Sequence, residues 1–216
     1  MKSLTLALLG ATALFFACKK QPETLVYANY TNLKPGNYWV YDRYSLDTNG
    51  IYTPMGKSDS NYVEKDTQLN GQTYHKLMVS NNGSAGGYSP LFLRDSLHYL
   101  VNAVGEIRFS SENFTDKLGE TYIVAGFSAI PDTIARISTA MTDDGQTTQT
   151  PAGAFPTKNF RETYTLWPKY TGYKNKRFLD HRYAENVGLV ESTWGFFLAD
   201  PSGKYIVQRL RKYGSH

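Results

Sequence analysis

Residues Asn61–Ser80 read NYVEKDTQLNGQTYHKLMVS. Two runs mixing β-branched, aromatic and polar residues flank Asn70-Gly71. A two-residue turn that matches the right-handed twist of its strands needs positive φ at both central positions, and Asn-Gly supplies them at least cost. The stretch therefore predicts an antiparallel hairpin, Asn61–Leu69 against Gln72–Ser80, and points to a β fold.

The same grammar recurs on both sides. Upstream, Asn37–Leu46 (NYWVYDRYSL) begins after Lys34-Pro35-Gly36 and ends at Asp47-Thr48-Asn49-Gly50. Downstream, short strands are predicted at 90–94, 97–101 and 106–110. Residues 132–141 and 146–149 flank Asp143-Asp144-Gly145, a second hairpin signal. Further runs follow at 157–167, 177–184, 188–193, 194–199 and 204–213. Asn81–Ser89 and residues 145–156 read as loops. No helical period of twelve residues or more appears beyond the N-terminal leader. Ten to twelve strands about ten residues apart predict an all-β meander.

The chain has 216 residues, 41% hydrophobic and 19% charged, a globular composition too apolar for disorder. Its 17 Tyr, 11 Phe and 3 Trp suit pleated, half-buried surfaces. A net charge of +4 does not by itself imply nucleic-acid binding, and no nucleic-acid partner is expected. From Pro151 onward, however, there are 11 Lys/Arg against 5 Asp/Glu. One cysteine excludes an internal disulfide and a cysteine-based zinc cluster.

That cysteine has a place. Met1-Lys2-Ser3 is a short positive start, Leu4–Phe16 an uncharged run of 13 residues, and Ala17-Cys18 follows. Thirteen residues are too few to span about 30 Å of hydrocarbon as a helix. Residues 1–17 read as a lipoprotein signal peptide with Cys18 as the lipid attachment point. Residues 18–32 read as lipidated N-terminus and tether, and 33–216 as one β domain. Phe15 and Phe16 occupy places that usually hold Leu and a small residue. Lys19 follows the cysteine, which favours the outer membrane, with either face open.

Four segments resemble Bacteroidota lipoproteins of unknown function. Leu33-Lys34-Pro35-Gly36-Asn37-Tyr38-Trp39-Val40-Tyr41 is similar to their P-L-x-x-G-N-x-W-x-Y opening. Lys117-Leu118-Gly119-Glu120-Thr121 resembles K-x-G-D-T, with Glu for Asp. Residues 150–155 (TPAGAF) resemble P-A-G-T-F, with Ala154 for Thr. Residues 183–190 (YAENVGLV) match Y-A-x-x-V-G-L-V. The resemblance implies a single curved antiparallel sheet, a half-barrel like the lipoprotein localisation factors that shelter acyl chains in a concave apolar face. A closed calycin-like barrel is the alternative. The resemblance implies no catalytic residue.

The residues themselves agree. His75, His98, His181 and His216 show no metal-ligand spacing. Gly87-Tyr88-Ser89-Pro90 lacks the second glycine of a nucleophile elbow. Residues 83–87 (GSAGG) have no following Lys-Ser/Thr to cradle phosphate. Neither Asp143-Asp144-Gly145 nor Asp47-Thr48-Asn49-Gly50 continues to the glutamate of a calcium loop. No cofactor, metal or catalytic residue is expected.

Two features stand out. Strands 37–46 and 194–199 are apolar on both faces, so the second face must be covered by a loop or helix drawn from 111–131, or must line a cavity. Trp39, Tyr41, Trp194 and Phe196 are the candidate ligand-binding residues. Residues 169–182 (KYTGYKNKRFLDHR) interleave cations with aromatics. There Lys169, Lys174, Lys176, Arg177 and Arg182 are candidates for contact with an anionic surface, or else a solvated hairpin that resists aggregation. The leading expectation is a non-catalytic, lipid-anchored envelope module that binds or carries an apolar or amphiphilic ligand. An interaction subunit of an envelope assembly comes second and a hydrolase third.

Overall fold

Asn37, Trp39, Tyr41 and Arg43 are buried, while Tyr38, Val40, Asp42 and Tyr44 between them are only partly so. This period of two is that of a strand with one face in a core. The computed structural model describes residues 25–81, 87–125, 132–167, 178–195 and 204–215. Among these residues there are twelve strands and no helix. They are β1 (Asn37–Leu46), β2 (Tyr52–Leu69), β3 (Gln72–Ser80), β4 (Tyr88–Ser96), β5 (Tyr99–Asn102), β6 (Ile107–Ser110), β7 (Gly119–Ala125), β8 (Asp132–Thr150), β9 (Gly153–Leu166), β10 (Phe178–Ala184), β11 (Gly188–Gly195) and β12 (Tyr205–Ser215).

They form one antiparallel sheet in the order β6-β5-β4-β3-β2-β1-β12-β11-β10-β9-β8-β7. The order is circular. Sequence neighbours pair throughout except β6 and β7, and the two ends of the domain meet as β1 and β12. The fold is an up-and-down barrel left open along one seam, between the half-barrel and the closed barrel anticipated from the sequence.

Side chains bridge the seam where backbone pairing stops. Phe109 of β6 packs on Tyr183 of β10 with ring centroids 4.5 Å apart. An Arg108 Nη2 lies 3.6 Å from Glu162 of β9. Lys158 of β9 donates to the Ser111 carbonyl at 2.5 Å and sits against the rings of Tyr30 and Phe114. Phe114 and Leu118, in the segment expected to cover a sheet face, pack against the core instead.

The Asn70-Gly71 hairpin forms as predicted, with Leu69 opposite Gln72 and positive φ at both turn residues. Asp143-Asp144-Gly145 does not turn the chain. It is absorbed as two register shifts in β8, whose pairing with β9 runs on from Asp143↔Asn159 to Gln146↔Thr157. The turn comes at residues 151–152, where the Ala152 N–H donates to the Leu210 carbonyl at 2.9 Å. Bulges bend a long hairpin, and these let its tip curl back onto β12. Strand β7 was not anticipated. Its residues 120–124 (ETYIV) lie in the segment expected to form a covering loop or helix.

One end of the barrel is plugged. The Thr31 hydroxyl bonds both carboxylate oxygens of Asp95 (2.9 and 3.0 Å), and the Asn186 N–H bonds the Asn29 carbonyl (2.6 Å). Tyr30 and Leu33 join the core with Trp39, Tyr41, Val63, Phe109, Phe160 and Val187. The packed chain therefore begins before Leu33, within the stretch read as tether. Cys18 lies outside the described residues.

The two-sided apolarity of β1 has a different origin from either expected one on its outer face. Arg209 lies over the rings of Tyr44 and Tyr52, and Lys212 over Tyr38. Long cationic side chains laid on aromatic faces cover that side with their stems.

Candidate functional site

The inward face of the barrel is built row by row. Arg43 pairs with Gln208, Gln208 with Ser192, Ser192 with His181, His181 with Phe160 and Phe160 with Met141. One step nearer the plugged end, Tyr41 faces Asp59 and Trp39 faces Asn61, which in turn faces Val79. Directly opposed residues share a face, so these side chains converge on the interior.

The core fills only part of that interior. A cavity of about 360 Å³ remains, lined by Trp39, Tyr41, Tyr183 and Trp194, by the aliphatic groups of Leu33, Leu77, Val79, Leu91, Leu93, Leu100 and Leu189, and by a few polar groups. Leu91 is 41% exposed, so the cavity meets solvent at that wall. Its size and lining are those of a small-molecule site: mostly apolar, with few polar groups.

The aromatic walls are fixed from behind. Trp39 Nε1–H donates to the Val187 carbonyl at 2.6 Å, and the Tyr41 hydroxyl donates to the Leu189 carbonyl at 2.9 Å. Both polar ends are spent on backbone, so each ring offers the cavity only carbon. Burial pushes the Tyr41 phenol well above its ordinary pKa and that of Tyr183 up to about 12.

Beside the cavity lies a buried ion pair. Arg43 makes two hydrogen bonds to Asp59, which also accepts from Gln208 Nε2 (2.7 Å) and Ser80 Oγ (3.1 Å). Burial acts to raise the Asp59 pKa, but these donors and the guanidinium charge outweigh it, and the net shift is downward. The Arg43 guanidinium also lies 5.6 Å from the Trp194 ring centre, bracing that wall.

A second cavity of about 380 Å³, with several charged residues on its lining, follows the seam between β6 and β7. Glu106, Glu120, Glu162 and Thr139 line it, and Arg108 lines both cavities. His181 joins the two regions. Its Nδ1 bonds Ser192 Oγ at 2.9 Å, and its Nε2 is buried without a hydrogen-bond partner, 3.6 Å from Glu162. Burial raises the Glu162 pKa, but His181, Arg108 and the Tyr164 hydroxyl bring it below the usual value. Among the described residues no cluster of three or more His, Cys, Asp or Glu is placed to hold a metal ion.

Of the residues singled out in the sequence, Trp39, Tyr41 and Trp194 come together on the cavity wall. Phe196, Lys169, Lys174, Lys176 and Arg177 lie outside the described residues. Arg182, the described member of that group, is engaged in ion pairs. Its guanidinium donates to Asp143 at 3.0 Å and lies 4.0 Å from Glu191, within an ionic row on the outer face that continues to Arg209. Sequence reading missed Leu77, Val79, Leu91, Leu93, Arg108, Glu162 and His181. Their common signal is register, which only the strand pairing supplies.

No protein-family model and no curated protein matches the chain. Two crystal structures do. One is a candidate exported protein with a YmcC-like fold from Bacteroides fragilis NCTC 9343. It is 14% identical, with a TM-score of 0.54 over 88% of this chain and 100% of that one. The other, a candidate lipoprotein from Parabacteroides distasonis ATCC 8503, is 13% identical with a TM-score of 0.47 over the same shares. The first likeness shows the fold: the chain has the architecture of this exported Bacteroides protein.

Proposed function

We propose that the protein is a non-catalytic binding or carrier module for an apolar or amphiphilic ligand, held at the cell envelope by a lipid on Cys18. The observation that carries the reading is the cavity of about 360 Å³ inside a nearly closed barrel, walled by Trp39, Tyr41, Trp194 and seven aliphatic side chains. A barrel evolved only for stability would fill such a space, because a cavity forfeits dispersion contacts along its whole lining. The signal-peptide pattern, the single cysteine at position 18 and the fold shared with a candidate exported Bacteroides protein support the envelope location. The outer membrane is the favoured site. The concave apolar interior is also what the resemblance to lipoprotein localisation factors implies.

A second reading has one observation of its own. Strand β7 is a sheet edge with Tyr122 and Val124 half exposed, at 51% and 53%. Such an edge suits pairing with a strand of an envelope protein. Native mass spectrometry of the full chain, expressed with its leader and extracted from bacterial membranes, separates the two. A stoichiometric lipid-like mass supports the carrier. An empty protein that takes up no added amphiphile, but co-purifies with a defined protein, moves the weight to the interaction subunit.

A further inference from the structure

Among the described residues, four other than glycine have positive φ: Asn32, Asn70, Asn186 and Leu97. Asparagine tolerates that left-handed conformation because its short polar side chain bonds locally, whereas leucine meets the β-carbon clash without relief. Leu97, at φ of +55°, gains no burial in return. It sits in the turn from β4 to β5 and is 73% exposed. A strained residue that packs against nothing in its own fold points to a function outside it.

Leu97 has company at the plugged end of the barrel, where Asp95 holds Thr31. Leu25 and Val26 are 72% and 92% exposed. Tyr27, next in the chain, packs against His98 with ring centroids 5.5 Å apart and shares a surface pocket with Leu97. Three of the four most exposed large apolar side chains among the described residues thus stand together.

The length of the tether says what they face. Leu25 is seven residues on from Cys18, a reach of about 25 Å at most. From the plugged end, the ten residues of β1 run about 33 Å to the turn that carries Ile51. At the tilt of a barrel strand that is about 25 Å along the axis. A barrel standing on its opposite end would need the tether at full stretch, whereas one standing on its plugged end leaves it slack.

We propose that the plugged end docks on the lipid bilayer, with Leu25, Val26 and Leu97 entering the boundary between headgroups and acyl chains beside the lipid on Cys18. The inference rests on the anchor proposed above and is independent of the cavity. Binding at that boundary scales with the apolar area buried there, and the bilayer supplies the burial that the fold withholds from Leu97.

The test uses the full chain, expressed with its leader, extracted from bacterial membranes and reconstituted in phosphatidylcholine vesicles that carry nitroxide-labelled lipid. Acylation occupies Cys18, so a fluorophore introduced through Ala28→Cys at the plugged end, or Ile51→Cys at the far end, labels one exposed site. The probe at 28 should be quenched at least threefold more than the probe at 51. Leu97→Asn should keep or raise the thermal midpoint. Combined with Leu25→Ser and Val26→Ser, it should cut quenching at 28 at least twofold while the protein stays on the vesicles. Equal quenching of the two probes on acylated protein, or undiminished quenching in the triple variant, would overturn the docking and leave the anchor intact. A lowered midpoint for Leu97→Asn would show that Leu97 serves the fold and would overturn its assignment to the bilayer. A Cys18 peptide without acyl mass would remove the anchor, and the docking with it.

Discussion

Replacing Asp59 with Asn tests how the barrel holds a charged pair beside an apolar cavity. The Asp59 side chain is 3% exposed and that of Arg43 8%, so solvent screens little of their attraction. At about 4 Å and an effective dielectric near 20, two unit charges attract by about 4 kcal/mol. Breaking a buried pair by removing one partner typically costs about 3–5 kcal/mol, because the remaining charge stays buried. Asn keeps the shape and one acceptor for Gln208 or Ser80, so Asp59→Asn should cost about 3 kcal/mol. At roughly 2–4 °C per kcal/mol for a chain of this length, the Tm should fall by about 6–12 °C. Replacing both partners with Arg43→Met and Asp59→Leu should return stability to within about 2 kcal/mol of the parent. Urea denaturation of the parent, both single variants and the double variant measures the coupling, provided the m-values agree. The Asp59 pKa is lowered by folding, so its contribution is complete above the ordinary carboxylate pKa near 4. It is lost as pH falls through the lowered value. A single-variant loss under 1 kcal/mol, or a double variant as poor as the sum of its parts, would refute the reasoning.

Three more outcomes are expected. Gly188 has φ of +102°, and a Cβ there would lie 3.0 Å from the Thr31 carbonyl and 3.2 Å from Trp39 Nε1. Gly188→Ala should therefore cost about 2 kcal/mol in chemical denaturation, and an unchanged midpoint would show that the backbone relaxes freely. Thr31→Val removes the hydroxyl that bonds both oxygens of Asp95, a carboxyl whose pKa burial has raised. It should cost about 1–2 kcal/mol and speed hydrogen exchange at residues 29–33, and unchanged exchange would detach the plug from this contact. The phenols of Tyr41 and Tyr183 are neutral in the fold and have raised pKa values, about 12 for Tyr183. Their stabilisation is full below about pH 10 and is lost as pH rises through the raised values. Tyrosinate absorbance should show these two phenols ionising together with loss of the fold, and early ionisation of both would contradict their burial.

Hairpins written in turn chemistry were readable from the sequence. Asn70-Gly71 turned where expected, and β1 and β3 ran over the residues predicted. Asp143-Asp144-Gly145 failed because a turn signal and a bulge signal draw on the same residues. Gly145 has φ of +80°, which serves either, and only the continued pairing with β9 decides. The cavity wall was half legible for a related reason. Trp39, Tyr41 and Trp194 announce themselves as large aromatics, whereas Leu77 and Val79 depend on a single extra residue. Counting back from the Asn70-Gly71 turn would place Val63 opposite Met78. A register shift between Val63 and Lys65 places it opposite Leu77, exchanging the faces of everything beyond. No composition or period reports that shift.

The position of the seam ties the fold to the site. In a sequential barrel the natural gap would fall between the first and last strands, yet here β1 and β12 form one of the longer ladders, from Asn37↔Ser215 to Leu46↔Tyr205. The gap falls mid-chain, at β6, a four-residue strand, and β7. Across it stand Arg108–Glu162, Lys158–Ser111 and Phe109–Tyr183, all side-chain contacts. Separating a paired ladder exposes a row of backbone groups at once, each worth about 1 kcal/mol net, whereas parting this seam gives up only a few contacts. The second cavity lies along that line, with Arg108 and Thr139 on its wall. On the carrier reading proposed above, a barrel that admits a ligand to an apolar interior is best opened where no ladder has to break, and Arg108 and Glu162 stand at that opening.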